Sequence, residues 1–374
     1  MKLKDFKLEV YFGKYEFTAP YLLTQSDCES MKLAQLLNYE SEEKSKELFD
    51  LWLGYTEVQG DPELRKIISS LYDTIPENNI VVHSGAQEPI FNFMNVLLEK
   101  GDHIISQFPI YQSLYEVANS LGCEISYWNV KKNDKGWYFD INDLKKLIKP
   151  NTKLIVLNSP NNPTGYAFKK EEYEEIIEIS RKNNTYIFCD EVYKGLELDG
   201  ITRPWLADLY EKGISLGVMS KSYGLAGLRI GWLATQDNNL IEKLIKMKHY
   251  TTICNSATSE FLAKIALKHS DEILNRNKEI ILENLSIAED FFNKYNSLFE
   301  FYRQMAGPIA FVKINIDEKI EDFCEKLVQN KGVLLLPANI YDYPGNYFRI
   351  GFGRKNFRES LFKFEEFLIE NNYV

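Results

Sequence analysis

Residues 152–190 read TKLIVLNSPNNPTGYAFKKEEYEEIIEISRKNNTYIFCD and contain a complete strand–helix–strand pattern. The runs TKLIVLN and TYIFCD are short and apolar, which is typical of buried strands. The charged stretch KKEEYEEIIEISRKN between them has the pattern of a helix. Strands that alternate with helices pair in parallel within one sheet. This stretch therefore predicts an α/β fold with a mainly parallel sheet.

The same alternation continues on both sides of this stretch. Four more β-type runs are NNIVVH (78–83), DHIISQ (102–107), CEISYW (123–128) and ISLGVMS (214–220). Helical patterns lie between most of them, and we expect helices to cover both faces of the sheet. Beyond about residue 238, long charged helical stretches and then a shorter αβ pattern predict a second, smaller α+β domain.

The composition is that of a globular protein and argues against several classes of partner. The chain has 374 residues, of which 45% are hydrophobic and 26% charged, and its formal net charge is −10. An acidic chain without a basic run is unsuited to nucleic acid or to an anionic membrane surface. The opening MKLKDFKLEVYFGKYEF has no continuous apolar stretch, so we expect neither a signal peptide nor a membrane-spanning segment.

The cysteines and histidines predict a cytoplasmic protein without a bound metal. The five cysteines lie far apart and form no CxxC pair, which is typical of reduced thiols in the cytosol. The four histidines share no spacing that is typical of metal ligands.

Polar and aromatic residues follow the carboxyl ends of the predicted strands. NIVVH leads into SGAQEPI, HIISQ into FPIYQS, LIVLN into SPNNPTG, YIFCD into EVY, and SLGVMS into KSYGLAGLR. In open α/β sheets, ligands bind beyond this edge. The last segment holds Lys221 and Arg229 among glycines and aliphatic residues, where a cation without a partner is costly. We therefore expect a ligand site at this edge.

Three of these segments, NSPNNPTG, CDEVY and SKSYGLAGLRIGW, resemble in their order and separation the pyridoxal-phosphate (PLP) enzymes of the class I/II aminotransferase family. The resemblance runs from about Tyr55 to Arg349. It implies a large PLP-binding domain over 41–254, with a mainly parallel seven-stranded sheet between helices. It also implies a small discontinuous α+β domain over 1–40 and 255–374, and a homodimer. The implied cofactor is pyridoxal 5'-phosphate, and the implied substrates are an amino acid and a 2-oxo acid.

The resemblance gives roles to the residues of the catalytic centre. Lys221 matches the lysine that forms a Schiff base with the cofactor aldehyde, and a lysine amine becomes nucleophilic once it is deprotonated. Asp190 resembles the aspartate that pairs with the pyridine nitrogen and keeps it protonated. Tyr193 and Asn162 would bind the phenolic oxygen of the cofactor, and Tyr111 matches the aromatic residue that stacks on its ring.

A second group of residues is expected around the cofactor phosphate. Arg229 matches the arginine that binds it, since a guanidinium is a forked donor for a dianion. SGAQEPI reads as a strand end that enters a helix, where the free N–H groups of Gly85, Ala86 and Gln87 can hold phosphate. Tyr55 stands where the family has a tyrosine that reaches the phosphate of the neighbouring subunit.

Two positions depart from the family pattern. Val218 stands three residues before the lysine, where serine is common, and Ala86 stands where serine or threonine is common. Each change removes a hydroxyl contact to phosphate that is worth about 1 kcal/mol. Ser220 or Ser222 would compensate, and we expect a somewhat weaker cofactor affinity.

The resemblance also implies how a substrate would be bound. Arg349 of YFRIGFG corresponds to the arginine that clamps the α-carboxylate, and Asn162 is expected to contact the substrate as well. In the family, the segment that corresponds to EVYFGKYEFTAPY (9–21) often covers the substrate side chain, which allows an aromatic or cationic substrate. The simpler expectation for this segment is an aromatic-rich strand that packs on the small domain.

Amino-group transfer is the implied reaction, with Lys221 as general base and then general acid. The same residues serve C–S lyases, β-replacement enzymes and cyclising enzymes, and FPIYQSLYEVANSLGC and GYTEVQGDPELR also resemble capreomycidine-synthase-type relatives. A non-catalytic regulator of this fold is disfavoured, because the lysine is present and a basic patch is not. A nicotinamide-dependent oxidoreductase fits worse, since the glycines after Lys221 do not form GxGxxG.

Overall fold

The computed structural model describes residues 2–374, which form a large sheet, a smaller sheet and a two-stranded ribbon with helices around them. The strands are β1 (Ile80–His83), β2 (His103–Phe108), β3 (Glu124–Asn129), β4 (Lys131–Asn133), β5 (Gly136–Tyr138), β6 (Thr152–Asn158), β7 (Tyr186–Asp190), β8 (Gly213–Val218), β9 (Gly231–Thr235), β10 (Phe299–Glu300), β11 (Ile309–Ile314), β12 (Leu336–Pro337) and β13 (Tyr347–Gly351).

The α-helices are α1 (Lys7–Tyr15), α2 (Leu33–Leu37), α3 (Glu42–Lys46), α4 (Pro62–Ser69), α5 (Gln87–Leu97), α6 (Ser113–Leu121), α7 (Ile141–Leu147), α8 (Lys170–Lys182), α9 (Leu206–Leu209), α10 (Asn238–Lys248), α11 (Ala257–Lys268), α12 (Ser270–Lys294), α13 (Ile320–Lys331) and α14 (Phe357–Glu370). Short 3-10 helices lie at Glu47–Asp50, Glu77–Asn79, Ala226–Leu228 and Ala338–Tyr341. Of the helices that residues 2–374 form, none has the length and apolar character needed to cross a bilayer.

The large sheet has seven strands in the order β1-β9-β8-β7-β6-β2-β3. The pairs from β8 through β7, β6 and β2 to β3 are parallel. β9 pairs antiparallel with both β8 and β1, so it runs against the direction of the other strands. The predicted mainly parallel sheet and its six predicted strands are confirmed, with small shifts at the strand ends.

Alternating side chains along the strands build an apolar layer on each face of the large sheet. Ile104 and Val156 pack in one layer with α5, α6 and α10, whereas Ile105 and Ile155 pack in the other with α7 and α8. Successive side chains of a strand point to opposite faces, and along the inner strands β6 and β7 both faces are buried. This is why the inner strands β6 and β7 read as nearly continuous apolar runs in the sequence.

The smaller sheet has the order β10-β11-β13-β12 and is antiparallel throughout. Its core includes Phe323 of α13, Phe348 of β13 and Phe364 of α14. Leu23 packs into the same core, so a segment from early in the chain joins the second half. This is the smaller α+β arrangement that the sequence predicts.

The segment near the start of the chain is a helix, so the prediction of an aromatic-rich strand is wrong. α1 buries Leu8, Phe12 and Tyr15, which recur at helical spacing. They pack against Leu334 and Tyr341, which lie just before and just after β12 of the smaller sheet. The stretch EVYFGKYEF also fits an alternating pattern, but the helical pattern is the one that gathers these apolar side chains on one face.

Candidate active site

The carboxyl edge of the large sheet opens into a cavity of about 450 Å³. Strands β1, β2, β6, β7 and β8 end at this edge, whereas β9 begins there. The cavity is lined by the loops at this edge, by α1, by residues 25–27 and by β13. The predicted site residues among its lining are Ala86, Gln87, Tyr111, Asn162, Asp190, Tyr193, Ser220, Lys221, Arg229 and Arg349.

Lys221 follows β8 into the cavity, where its Nζ donates a hydrogen bond to Oγ of Ser26 at 3.0 Å. Burial lowers the pKa of the Lys221 amine below the ordinary lysine value; the carboxylate of Asp27 opposes this shift and the charge of Arg349 adds to it. The surroundings therefore favour the neutral, nucleophilic form of the amine.

Asp190 is the last residue of β7 and its side chain is buried. Its Oδ1 accepts a hydrogen bond from the backbone N–H of Val192 at 3.2 Å. Burial raises the pKa of Asp190 to about 7, although this N–H and the charge of Lys221 act in the opposite direction. A cationic partner, such as a protonated ring nitrogen, would stabilise this buried carboxylate as the anion.

Arg349 of β13 is buried, with 1% of its surface exposed. Its Nε donates to the carbonyl of Thr24 at 3.0 Å, and its Nη1 donates to the hydroxyl of Tyr341 at 2.7 Å and to Oδ1 of Asn162 at 3.2 Å. Its Nη2 has no hydrogen-bond partner within residues 2–374. A buried guanidinium with a free donor beside a cavity is suited to bind a carboxylate.

Gly85 allows the guanidinium of Arg229 to lie against the turn between β1 and α5. The φ of Gly85 is +71°, and a Cβ at this position would lie 2.3 Å from Nη2 of Arg229. The N–H of Gly85 donates to the carbonyl of Arg229 at 3.1 Å, so the prediction that it is free to hold a phosphate is wrong. Ala86 and Gln87 lie at the start of α5, where backbone N–H groups point out of the helix.

Two tyrosines line the cavity in different ways. The hydroxyl of Tyr111 accepts a hydrogen bond from Nε2 of Gln87 at 2.9 Å and donates one to Oε1 of Glu9 at 2.8 Å. Burial raises the pKa of Tyr193 well above the ordinary tyrosine value, so its hydroxyl remains a protonated donor. Tyr55, in contrast, is 82% exposed and is not part of the lining.

Ser220 and Ser222, the two serines that could replace a missing hydroxyl contact to phosphate, lie in different surroundings. Ser220 lines the cavity, as do Val218 and Ala86, whose side chains offer no hydrogen bond. Ser222 is buried and its Oγ donates to the carbonyl of Val192 at 3.0 Å. Ser222 therefore fixes the loop after β8, and the suggestion that it could compensate is wrong.

Sequence reasoning missed several residues of the site. Asn158 ends β6; its Oδ1 accepts from the N–H of Asn162 at 2.6 Å and its Nδ2 donates to the carbonyl of Asp190 at 2.9 Å. Its place at a strand end is a signal that could have found it. Ser26 lies in a segment without a motif, and only the folded chain brings it to the cavity. Tyr341 also lies outside any motif; it contacts the lining residues Asn162 and Arg349 but is not part of the lining itself.

Comparisons with known proteins agree with this geometry. The family model described as aminotransferase class I and II matches residues 22–358. The chain is 26% identical over 346 residues to an aspartate aminotransferase of Sulfolobus acidocaldarius, which covers 87% of this chain and 85% of that protein. It is 25% identical over 303 residues to the capreomycidine synthase of Streptomyces vinaceus, with coverage of 78% and 75%.

A solved structure extends the similarity to nearly the whole fold. The structure of a PLP-dependent aminotransferase from Streptococcus suis 89-1591 matches with a TM-score of 0.93 and 34% identity, over 99% of both chains. The resemblance drawn from the motifs is thereby confirmed. The chain belongs to the aminotransferase class I and II family of PLP-dependent enzymes.

Proposed function

We propose that the protein transfers the amino group of an L-amino acid to a 2-oxo acid, with PLP held in the cavity at the carboxyl edge of the large sheet. The observation that carries this proposal is that Lys221, Asp190 and Arg349, from three separate elements, line one cavity. They offer a nucleophilic amine, a carboxylate for a ring nitrogen and a guanidinium for a substrate carboxylate.

The phosphate end of PLP fits the turn between β1 and α5. The guanidinium of Arg229 lies there because Gly85 has no side chain. The N–H groups of Ala86 and Gln87 at the positive end of α5 would add donors, and the hydroxyl of Ser220 another. These groups together suit a dianion.

The ring of PLP fits the part of the cavity beside β6 and β7. Asp190 would accept a hydrogen bond from the ring nitrogen. Oδ1 of Asn162 is already occupied by Tyr341 and Arg349, which leaves its Nδ2 to donate to the phenolic oxygen, together with the hydroxyl of Tyr193. Tyr111 would cover the ring.

When bound, PLP supplies an aldehyde and an electron-accepting ring. The remaining tasks fall to residues of the chain. Nη2 of Arg349 binds the α-carboxylate and so fixes the direction of the Cα–H bond. Nζ of Lys221 would take the proton from Cα as general base and, as general acid, would deliver a proton to the former aldehyde carbon of the cofactor. The hydroxyl of Ser26, which accepts a hydrogen bond from Nζ, holds the amine in place between these steps.

A donor screen with purified holoenzyme tests the reaction. Single amino acids are added first without and then with 2-oxoglutarate or pyruvate, while the cofactor absorbance and the oxo-acid product are measured. We expect one oxo acid per site without acceptor and continuous turnover only with acceptor. Pyruvate and ammonia without an acceptor would support elimination instead. A cyclic product without an acceptor would support a reaction like that of capreomycidine synthase.

The lysine can be tested separately from the reaction outcome. Lys221→Ala should lose the cofactor that borohydride reduction otherwise attaches covalently to this side chain, as measured by mass spectrometry. Lys243→Ala, on the exposed side of α10, is the matched control and should keep it. Unchanged attachment in Lys221→Ala would remove Lys221 from its role.

The protein is also proposed to be a homodimer in which Tyr55 reaches the site of the partner. Phe49, Trp52, Leu53, Tyr55 and Tyr250, here called the aromatic surface, are each between 78% and 89% exposed. Thr56 Oγ1 donates to the carbonyl of Asn255 at 3.0 Å and thereby joins the two segments that carry these residues. So many large apolar side chains on neighbouring segments are typical of a protein interface.

The domain division and the compartment are proposals as well. The large PLP-binding domain would span 41–254, and the small discontinuous domain 1–40 and 255–374. α11 lies inside the last range but packs on α4, so it would form the joint between the domains. The five cysteines are free thiols, which suits the cytoplasm.

A further inference from the structure

We infer that the amino donor of this enzyme carries a positively charged side chain, which the carboxylates of Glu9 and Glu16 bind on the cavity wall formed by α1. The inference rests on the proposed function, because it names the class of amino acid whose α-carboxylate binds Arg349.

One face of α1 forms this wall. Glu9 and Phe12 lie in α1, and Glu16 is the residue directly after it, which keeps a helical backbone conformation. They are three and four residues apart and therefore lie on the same side, and all three line the cavity. The ring centroid of Phe12 lies 5.8 Å from the guanidinium carbon of Arg349. The wall therefore stands beside the group that holds the α-carboxylate, within reach of the substrate side chain.

The other charged groups of the cavity already have a partner or a proposed role. Asp27 forms an ion pair with Arg354, whose Nη2 lies 2.9 and 2.8 Å from the two carboxylate oxygens. Asp190 faces the ring nitrogen, and Arg229 and Arg349 bind the phosphate and the α-carboxylate. Only the carboxylates of Glu9 and Glu16 on the α1 wall have neither a charged partner nor a proposed role.

These two glutamates have only neutral partners among residues 2–374. Glu9 accepts a hydrogen bond from the hydroxyl of Tyr111 at 2.8 Å, and Glu16 accepts one from Nε2 of Gln25 at 3.1 Å. Each carboxylate keeps lone pairs for a further donor. Since Nη2 of Arg349 is buried and unpartnered in the same cavity, a ligand with a carboxylate at one end and a cation at the other would satisfy both.

The wall also discriminates against other donors. An acidic side chain would face two carboxylates without a compensating cation, which is repulsive. An apolar side chain would take water from the glutamates without replacing its hydrogen bonds. A basic side chain, in contrast, can pack its alkyl stem on Phe12 and place its charge next to a carboxylate of this wall.

Donor kinetics test this inference. With 2-oxoglutarate as acceptor, kcat/KM is measured for arginine, lysine and ornithine, for aspartate and glutamate, and for leucine and phenylalanine. We expect the preferred donor to be basic. Glu9→Gln and Glu16→Gln, which keep the size of the side chain, should each lower kcat/KM for that donor roughly tenfold to hundredfold, mainly through KM. Neutral donors should change little, and Glu279→Gln, exposed on α12, should change nothing.

Binding without reaction gives a second readout. The preferred basic donor is titrated calorimetrically into two proteins, the Lys221→Ala variant and the Lys221→Ala/Glu16→Gln double variant. Neither protein has the lysine that would carry out the proton transfer, so binding is measured without reaction. We expect Glu16→Gln to weaken binding by a similar factor. Equal affinity of the donor for the single and the double variant would overturn the inference.

The outcomes separate the inference from the proposed function. Turnover that prefers acidic or apolar donors would overturn the inference and leave amino-group transfer intact. Equal losses for basic and neutral donors in Glu9→Gln and Glu16→Gln would also overturn it, because the glutamates would then not recognise charge. Failure of every donor class to react, in a protein that does not take up PLP, would contradict the proposed function itself.

Discussion

Nη1 of Arg349 donates a hydrogen bond to Oδ1 of Asn162 at 3.2 Å, across 187 positions of sequence. The bond joins β13 of the smaller sheet to the loop after β6 of the large sheet. In the proposed function, Asn162 would donate to the phenolic oxygen of the cofactor, and Arg349 would bind the substrate carboxylate. The residue that would bind the substrate is therefore positioned by one that would bind the cofactor.

Arg349→Lys should raise the KM for the amino donor roughly hundredfold, with a smaller effect on kcat. A lysine cannot reproduce the forked donor, and it also loses contacts to Asn162 and Tyr341. Steady-state kinetics measure the effect, with Arg358→Lys on the exposed side of α14 as the control. An unchanged KM would show that Arg349 does not bind the carboxylate.

Asp190→Asn should stabilise the cofactor-free protein, and more so at pH 8 than at pH 5. Burial raises the pKa of Asp190 from 3.8 to about 7, so between these values the folded state binds more protons than the unfolded state. The contribution of this carboxyl to stability therefore falls as pH rises through this window, and asparagine removes the loss.

The measurement is the thermal unfolding of both cofactor-free proteins across this pH range. Glu191, whose pKa is also raised to about 7 by burial, is present in both, so the difference isolates Asp190. With PLP the sign should reverse, since asparagine cannot pair with a protonated ring nitrogen. A difference that does not depend on pH would contradict the prediction.

Lys248→Met should lower the free energy of unfolding by about 3 kcal/mol or more. The Nζ of this fully buried lysine donates to the carbonyls of Val58 and Val82, at 2.7 and 2.6 Å, and to Oδ1 of Asn255 at 3.2 Å. Methionine fills a similar volume but leaves these acceptors without a donor. Urea unfolding measures the loss. Lys243→Met, exposed on the same helix, should leave stability nearly unchanged.

Trp52→Glu should shift the protein from dimer to monomer in sedimentation-velocity experiments. The new charge would lie within the aromatic surface and would have to be desolvated on association. Phe362→Glu is the matched control, because this phenylalanine is 54% exposed on α14, away from the aromatic surface. A dimer that Trp52→Glu leaves intact would place the subunit interface elsewhere on the molecule.

Much of the fold and many of the site residues could be predicted, because their signals are local. Inner strands buried on both faces read as apolar runs; Asp190 is the last residue of β7, and Lys221 lies three residues after the end of β8. The sequence does not reveal that the N–H of Gly85 is occupied, because its acceptor, the carbonyl of Arg229, comes from a distant segment. The sequence of α1 does not decide between helix and strand, because the bulky residues in EVYFGKYEF fit both a helical and an alternating pattern. Only the surface on which α1 packs selects the helix.

Two residues that line the cavity lie outside the part of the chain that forms the large sheet. Ser26 precedes its first strand, β1, and Arg349 follows its last strand in the sequence, β9. A polypeptide still emerging from the ribosome can complete all seven strands and still lack the guanidinium that would bind the substrate carboxylate. Chains that end before β13 are therefore expected to be inactive toward amino acids, even where the large sheet is complete.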